Sequence, residues 1–457
     1  MSQTDLQCFI NDQPLVNSHE HQVSNEALLA KGPDIIRVLF DNYLQFDFLS
    51  ADKSMRVKEG GFSYIGEEES LDPQRYSIGE RWERLQKVFS WSRHTSAGKP
   101  VRQTAELLFG IREFSAAELE AGQRKLEEMW KDGMRLSLLK DKANLDHIQI
   151  DSFQQQLTPD SEDADFFLYD INVCGLANAS FLKGHNGNPS WADVFMDGPR
   201  DSLKTLRQGI EAMYEKYGPL AIATKSQHAY NRTLQWQERS DDEAEQALRR
   251  LAKKPENANP TDEICLSDWA FARCIEASSK MNLPVKIHTG YYAGNGNMLT
   301  DRIRPGNLCS LLKSYTEADF VLMHIGYPYT DEMIALAKHF PNVYVDMCWA
   351  WSIDQVTCTQ FLRKFLSAVP FNKLFLFGGD TFEPFVVPAY AQQARDGLCQ
   401  TLQSCISEGF LNEKECLEIA GHLMFKNQYR LFDIEGTRDA IRKDRRSSPD
   451  ITSGPGN

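Results

Sequence analysis

Six side chains scattered along the 457 residues are of types that hold and use a divalent metal: His19, His21, Lys225, His288, His324 and Asp380. His19 and His21 stand two apart in the strand-like run Pro14-Leu-Val-Asn-Ser-His-Glu-His21. Side chains at i and i+2 of a strand share a face, so both imidazoles can chelate one ion at Zn–N distances of about 2.0–2.1 Å. His288 ends Val285-Lys-Ile-His, His324 ends Phe320-Val-Leu-Met-His, and Asp380 ends Phe375-Leu-Phe-Gly-Gly-Asp. Each is the first strongly coordinating residue after an apolar run, and each has a glycine close by that permits close backbone approach. Any one of these histidines is more simply read as a hydrogen-bonded core residue; five coordinating groups at the ends of strands one, one, five, six and eight are not. Lys225, in Leu220-Ala-Ile-Ala-Thr-Lys225, is the sixth. An ammonium beside a dication is unfavourable. Either its neutral amine captures carbon dioxide as a carbamate able to bridge two metals, or it stays charged and binds an anionic substrate or intermediate.

The elements that must position these groups alternate. Strand patterns fall at 14–21, 146–151, 166–173, 219–224, 284–288, 320–324, 343–347 and 374–377. Helical patterns fall between the later ones, at 205–217, 241–254, 264–281, 307–314, 331–339 and 355–369. Strands alternating with helices imply parallel strands joined by right-handed crossovers. Eight such strands indicate a (β/α)8 TIM barrel, an α/β fold whose sites sit at the C-terminal strand ends. No G-x-G-x-x-G follows the first strand, so a dinucleotide fold has no positive support. Helical patterns at 35–48, 78–91, 104–108 and 116–129, broken by the turn Gly60-Gly61, read as a helical insertion of about residues 24–141 between strands one and two. The barrel with this insertion is expected over 1–440 and a disordered polar tail over 441–457.

Composition narrows the partners. Lys+Arg is 50 against Asp+Glu 64, a net charge of −14, which argues against nucleic acid or an anionic membrane surface. No uncharged apolar run approaches the ~20 residues of a membrane helix. The first eleven residues lack the basic flank and apolar core of a secretory signal. A cytoplasmic protein acting on a small molecule is expected, with homo-oligomerisation left open. None of the ten cysteines lies in a C-x-x-C pair, so they read as free buried thiols rather than a disulfide framework, a thiolate zinc cluster or a cysteine nucleophile being the competing reading. His94 and His147 read as structural, His339 as solvated and His422 as part of a C-terminal helix. His228, three after Lys225, is within possible reach of the mouth.

His19-x-His21, Lys225, His288, His324 and Asp380, in that order on βα units, resemble the metal-dependent amidohydrolase superfamily. Ile287-His-Thr-Gly290, Asn307-Leu-x-x-Leu-Leu312, Leu322-x-His-x-Gly-Tyr-Pro328, Asn342-Val-Tyr-Val-Asp346 and Thr224-Lys-Ser226 with Ala229-Tyr-Asn-Arg232 are similar to the branch containing the amidohydrolase domain fused to glutamine synthetase. Uronate-isomerase-like proteins are further relatives. The likeness is strongest over about 219–384.

The resemblance implies one or two divalent ions, zinc foremost, as cofactor. With two, His19, His21, a Lys225 carbamate and Asp380 serve the buried ion, and His288 and His324 the outer one. With one, His19, His21, His288 and Asp380 ligate and His324 is a free acid/base or electrophile. Asp380 would hold and deprotonate the water and pass the proton on, with His324 polarising the carbonyl. Arg232, Tyr292, Trp349 and Trp351 follow strands four, five and seven and are candidate substrate contacts, ordinary rim packing being the competing reading. The implied function is metal-dependent hydrolysis of a small amide, lactone or related carbonyl compound. Two other readings stand beside it: decarboxylation or uronate-type isomerisation at the same site, and a metal-free binding protein.

Overall fold

The computed structural model describes residues 5–55, 71–152, 157–183, 189–253, 259–294 and 296–447. Eight parallel strands neighbour one another in chain order: β1 (Leu15–Glu20), β2 (Leu145–Ile150), β3 (Phe167–Asn172), β4 (Ala221–Ser226), β5 (Val285–Ile287), β6 (Phe320–Leu322), β7 (Val343–Asp346) and β8 (Leu374–Phe375). The ring closes between β1 and the β8 end. Ser18 N donates to Phe377 O, Asp380 N to His19 O and His21 N to Thr381 O, each at 3.0 Å. The chain is a (β/α)8 barrel, as the alternation requires.

Strands β5 to β8 are shorter than their apolar runs because the ladder stops where the backbone turns. His324, Ile325, Trp349 and Asp380 all have φ between 49° and 62°. A non-glycine residue in that left-handed region is costly, and a bulky one such as Trp349 is exceptional. The turns that end β6, β7 and β8 are therefore specified, and they aim side chains into the mouth. Below the mouth the lumen is polar: Lys286 Nζ donates to both Asp170 oxygens at 2.9 Å and to Ser18 O at 3.0 Å, fully buried.

The crossover helices Leu203–Tyr217, Pro260–Lys280, Thr330–His339 and Gln355–Ala368 cover the ring. Pro260–Lys280 starts four residues before its apolar pattern, because Asn259 caps it by accepting from Thr261 N and Pro260 suits the first turn.

The insertion forms a second apolar core around Phe40, Phe48, Trp82, Phe89 and Leu126. The helix expected over 35–48 is instead two, Ile35–Phe40 and Leu44–Ala51. Asn42 breaks it: its Oδ1 accepts from Leu44 N at 3.1 Å and its Nδ2 donates to Leu39 O at 2.8 Å, replacing the helical pattern with a local turn. The turn Gly60-Gly61 lies outside the described residues. At the C-terminus the helix Ile434–Ser447 continues past residue 441, held by Arg438 Nε to Asp165 O (3.0 Å) and Arg442 Nε to Asp165 Oδ2 (2.8 Å). That helix shortens the expected tail, whose remainder, 448–457, lies outside the described residues. All ten cysteines are free, but only five are buried and Cys309 is exposed, so the uniform burial expected of them does not hold. Among the described residues no helix is long and apolar enough to cross a membrane.

Candidate metal centre

The structure gathers all six of the scattered residues at the C-terminal rim. Asp380 Oδ1 lies 3.1 Å from His19 Nε2 and 3.2 Å from His21 Nε2, while its Oδ2 lies 3.9 Å from His324 Nε2. His324 Nε2 is 2.9 Å from His288 Nδ1, and Lys225 Nζ is 3.0 Å from His19 Nε2. His19, His21 and Asp380 place one donor atom each within 4.8 Å of one another. All six are buried.

Backbone carbonyls set which nitrogen of three imidazoles faces inward. A carbonyl only accepts, so the ring nitrogen beside it carries the proton. His21 Nδ1 donates to Asp151 O (2.9 Å), His324 Nδ1 to Cys348 O (2.9 Å) and His288 Nε2 to Tyr291 O (3.1 Å). The opposite nitrogen of each ring then presents a lone pair to the centre, the usual way a protein prepares histidine ligands. His324 Nε2 and His288 Nδ1 consequently face each other at 2.9 Å with no proton between them. Two acceptors at that distance need a positive charge. Burial, with His324 and Lys225 close by, holds His288 well below the usual histidine range, and burial brings His324 down to about 4, so a proton does not supply it. A donor set of neutral imidazole and carboxylate therefore fits a divalent cation.

Burial pushes the Asp380 carboxyl up, but the adjoining imidazoles of His19, His21 and His324 outweigh it and hold the group well below the carboxylate range. Its neighbours are fixed by a buried buckle between β1 and β8. Glu20 accepts from Asn17 Nδ2 (2.7 Å) and Thr381 N (2.5 Å), and Asn17 Oδ1 accepts from Gly379 N (3.2 Å). Gly379 is required there, because a Cβ on it would stand 2.1 Å from Glu20 Oε1.

Two groups at the floor were not singled out from sequence. Asp151, directly after β2, lies 3.7 Å from Lys225 Nζ and accepts from Asn172 Nδ2 (2.6 Å) and Gln227 Nε2 (2.5 Å). It follows the same rule as the histidines, an acid immediately after an apolar strand. Tyr43, from the turn that Asn42 makes, donates its hydroxyl to Asp380 O at 2.5 Å and stacks on Trp349 with centroids 4.3 Å apart. No local signal marks that contact.

The anticipated substrate contacts fare differently. Arg232 is bound to Asp268 (2.6 Å), Gln235 O (2.6 Å) and Ser267, so its guanidinium is structural. Tyr292 is buried with its hydroxyl on Asn297 O at 2.8 Å. Trp349 stands against His324, ring centroids 5.4 Å apart, and is buried. Trp351 donates Nε1 to Leu376 O at 2.9 Å within the core. His228 pairs with Ser226 Oγ at 2.8 Å, away from the centre. His147 pairs with Asp146 (2.6 Å) and His339 is exposed.

Above the centre opens a cavity of about 790 Å³ with His21, Asp380 and Gln227 on its lining. Its walls are mostly apolar: Val38, Tyr43 and Phe46 from the insertion, Tyr230 after β4, and Phe382, Phe385 and Val386 after β8. Phe382 stacks on His21 at 5.3 Å and is 43% exposed, marking the entrance. Lys31 on the lining closes on Glu383 at 3.0 Å, and Arg37 pairs with the same carboxylate.

Histidines and one aspartate at the C-terminal strand ends make this a (β/α)8 barrel with a candidate metal site. Residues 228–407 match the amidohydrolase family model. Over 226 residues the chain is 27% identical to protein FluG of Emericella nidulans, covering 47% of this chain and 26% of that protein. It thus spans about a quarter of the length of this curated relative. The fold is similar to uronate isomerase from Thermotoga maritima (TM-score 0.72, 15% identity, covering 93% of this chain and 96% of that one). It is likewise similar to glucuronate isomerase from Caulobacter crescentus (TM-score 0.72, 16% identity, covering 98% and 95%). These likenesses support the resemblance to the amidohydrolase superfamily, carried in sequence by residues 228–407.

Proposed function

We propose that this chain is a metal-dependent hydrolase of a small amide, lactone or related carbonyl compound. The observation that carries the reading is the pair of lone pairs on His288 and His324, opposed at 2.9 Å beside an ionised Asp380. His19, His21, His288, His324 and Asp380 would hold the cation, zinc foremost; when bound it supplies Lewis acidity and makes water acidic enough to lose a proton near neutral pH.

Asp380 is the proton carrier. Its Oδ1 faces His19 and His21, which leaves Oδ2 to take the proton of an attacking water and deliver it to the leaving group. Its strained φ of 58°, held by Tyr43 and the Glu20 buckle, keeps that oxygen aimed at the cavity floor. His324 acts as a donor atom rather than as an acid, because its only proton is on the nitrogen bound to Cys348 O. Lys225 completes the floor beside His19; as a carbamate it would bridge two cations, and as an ammonium it has Asp151 as its counter-charge. Native mass measurement decides its state.

The cavity favours hydrolysis of a neutral substrate over uronate isomerisation. Its lining is mostly apolar by area though Asp41, Asn42, Gln45 and Asn231 also face it, and its one basic wall residue among the described residues, Lys31, closes on Glu383, which Arg37 also pairs with, instead of reaching the floor. The test is a matched panel of uncharged amides and lactones, with uronic acids as the contrast, assayed on metal-loaded protein and on Asp380→Asn. Hydrolysis of a neutral substrate that falls by about 10³-fold or more in the variant is expected. Turnover within about tenfold of wild type removes the proton-carrier role, and turnover of uronic acids alone replaces the hydrolase reading with isomerisation.

A further inference from the structure

We propose that Cys348 is an additional metal donor, a thiolate on the His324 side of the centre, which tunes the site toward thiophilic ions. The inference rests on the metal reading above and adds a ligand that the imidazole–carboxylate set does not contain. Cys348 follows β7 by two residues and is fully buried. Its sulfur, a His324 nitrogen and an Asp380 oxygen lie within 4.8 Å of one another, a second donor triangle that shares the Asp380 corner with the His19, His21 and Asp380 triangle.

The surroundings hold the cysteine for that position. Its backbone N–H donates to Asp346 Oδ1 at 2.8 Å, and its carbonyl takes the His324 Nδ1 proton at 2.9 Å. One residue therefore both orients the His324 lone pair and carries a sulfur beside it. Gly378 leaves the space the sulfur occupies, since a Cβ there would stand 2.6 Å from Sγ. Cys348 shares a small packed cluster with Met323 and Trp349. Of the ten cysteines, it is the one in a donor cluster among the described residues. A thiol that ligates exchanges its S–H bond for a sulfur–metal bond and releases one proton to solvent, with no change of oxidation state. Soft sulfur beside imidazole favours zinc, cobalt or cadmium over magnesium or calcium.

Cobalt(II) added to metal-depleted full-length protein tests this without a substrate. Cobalt bound in stoichiometric amount should give a thiolate-to-cobalt charge-transfer band in the near ultraviolet. In Cys348→Ser that band should vanish while cobalt still binds. X-ray absorption at the cobalt edge of the wild type should independently show a sulfur scatterer at about 2.3 Å, which keeps the test valid if the variant does not fold. Bound cobalt with only nitrogen and oxygen neighbours, or a band unchanged in Cys348→Ser, overturns the thiolate ligand and leaves the metal reading intact. Protein that binds no cobalt at all overturns both.

Discussion

At the barrel rim, backbone atoms place the functional side chains: carbonyls of Asp151, Tyr291 and Cys348 fix three imidazoles, and left-handed turns aim His324 and Asp380. In the insertion the reverse holds. There, ring packing among Phe40, Trp82, Phe89 and Phe114 positions short helices, and Tyr43 reaches the rim from a turn between two of them. The rim gathers the proposed metal donors through specified geometry, and the insertion shapes the cavity through burial. A chain can thus keep one and vary the other, because each has its own apolar core.

The sharpest way to break that contrast is Phe89→Ala. Removing a buried ring from the centre of the insertion core should cost about 3–5 kcal/mol, read as a lower melting temperature. Metal content should be unchanged. If metal is lost as well, the two regions are one cooperative unit and the contrast fails.

Gly379→Ala attacks the rim instead. The added Cβ would meet Glu20 and displace the loop that carries Asp380. Chelator competition should show metal affinity lower by about 10–100-fold, the usual effect of disturbing groups behind a ligand. An unchanged affinity would mean that the close approach of β1 and β8 does not set the site.

The smallest effect belongs to Asp41, on the cavity wall beside the broken helix. Burial and the Glu383 charge push its carboxyl from 3.8 to about 6. The folded state therefore binds the proton more tightly than the unfolded one. Its contribution is present in full below the unfolded value and is lost as pH rises through about 6. Wild type should lose about 3 kcal/mol relative to Asp41→Asn between acid and neutral pH, measured by paired melting curves. Parallel curves would show that Asp41 titrates normally and that the wall is wetter than its burial indicates.

The same contrast explains what the sequence discloses. The rim was legible because each βα unit repeats one pattern, an apolar run closed by a coordinating residue near glycine; His288 and His324 are read from their own neighbours. Asp151 obeys that pattern but is not distinguished by it, because a lone acid after Ile148-Gln-Ile150 resembles any polar strand end. Tyr43 was not legible. Its contact with Asp380 spans 337 residues and depends on Asn42 breaking a helix that periodicity alone continues to residue 48. Arg232 failed for the complementary reason: sequence position near a strand end cannot reveal that Asp268 already holds the guanidinium.

The central claim is that the opposed donors at the rim surround a divalent cation. Elemental analysis of purified full-length protein, expressed with metal supplementation, tests it most directly. Wild type should carry about one equivalent or more of divalent metal, falling below about a tenth in the folded His19→Ala,His21→Ala double variant. Folded wild-type protein carrying less than about a tenth of an equivalent would contradict it.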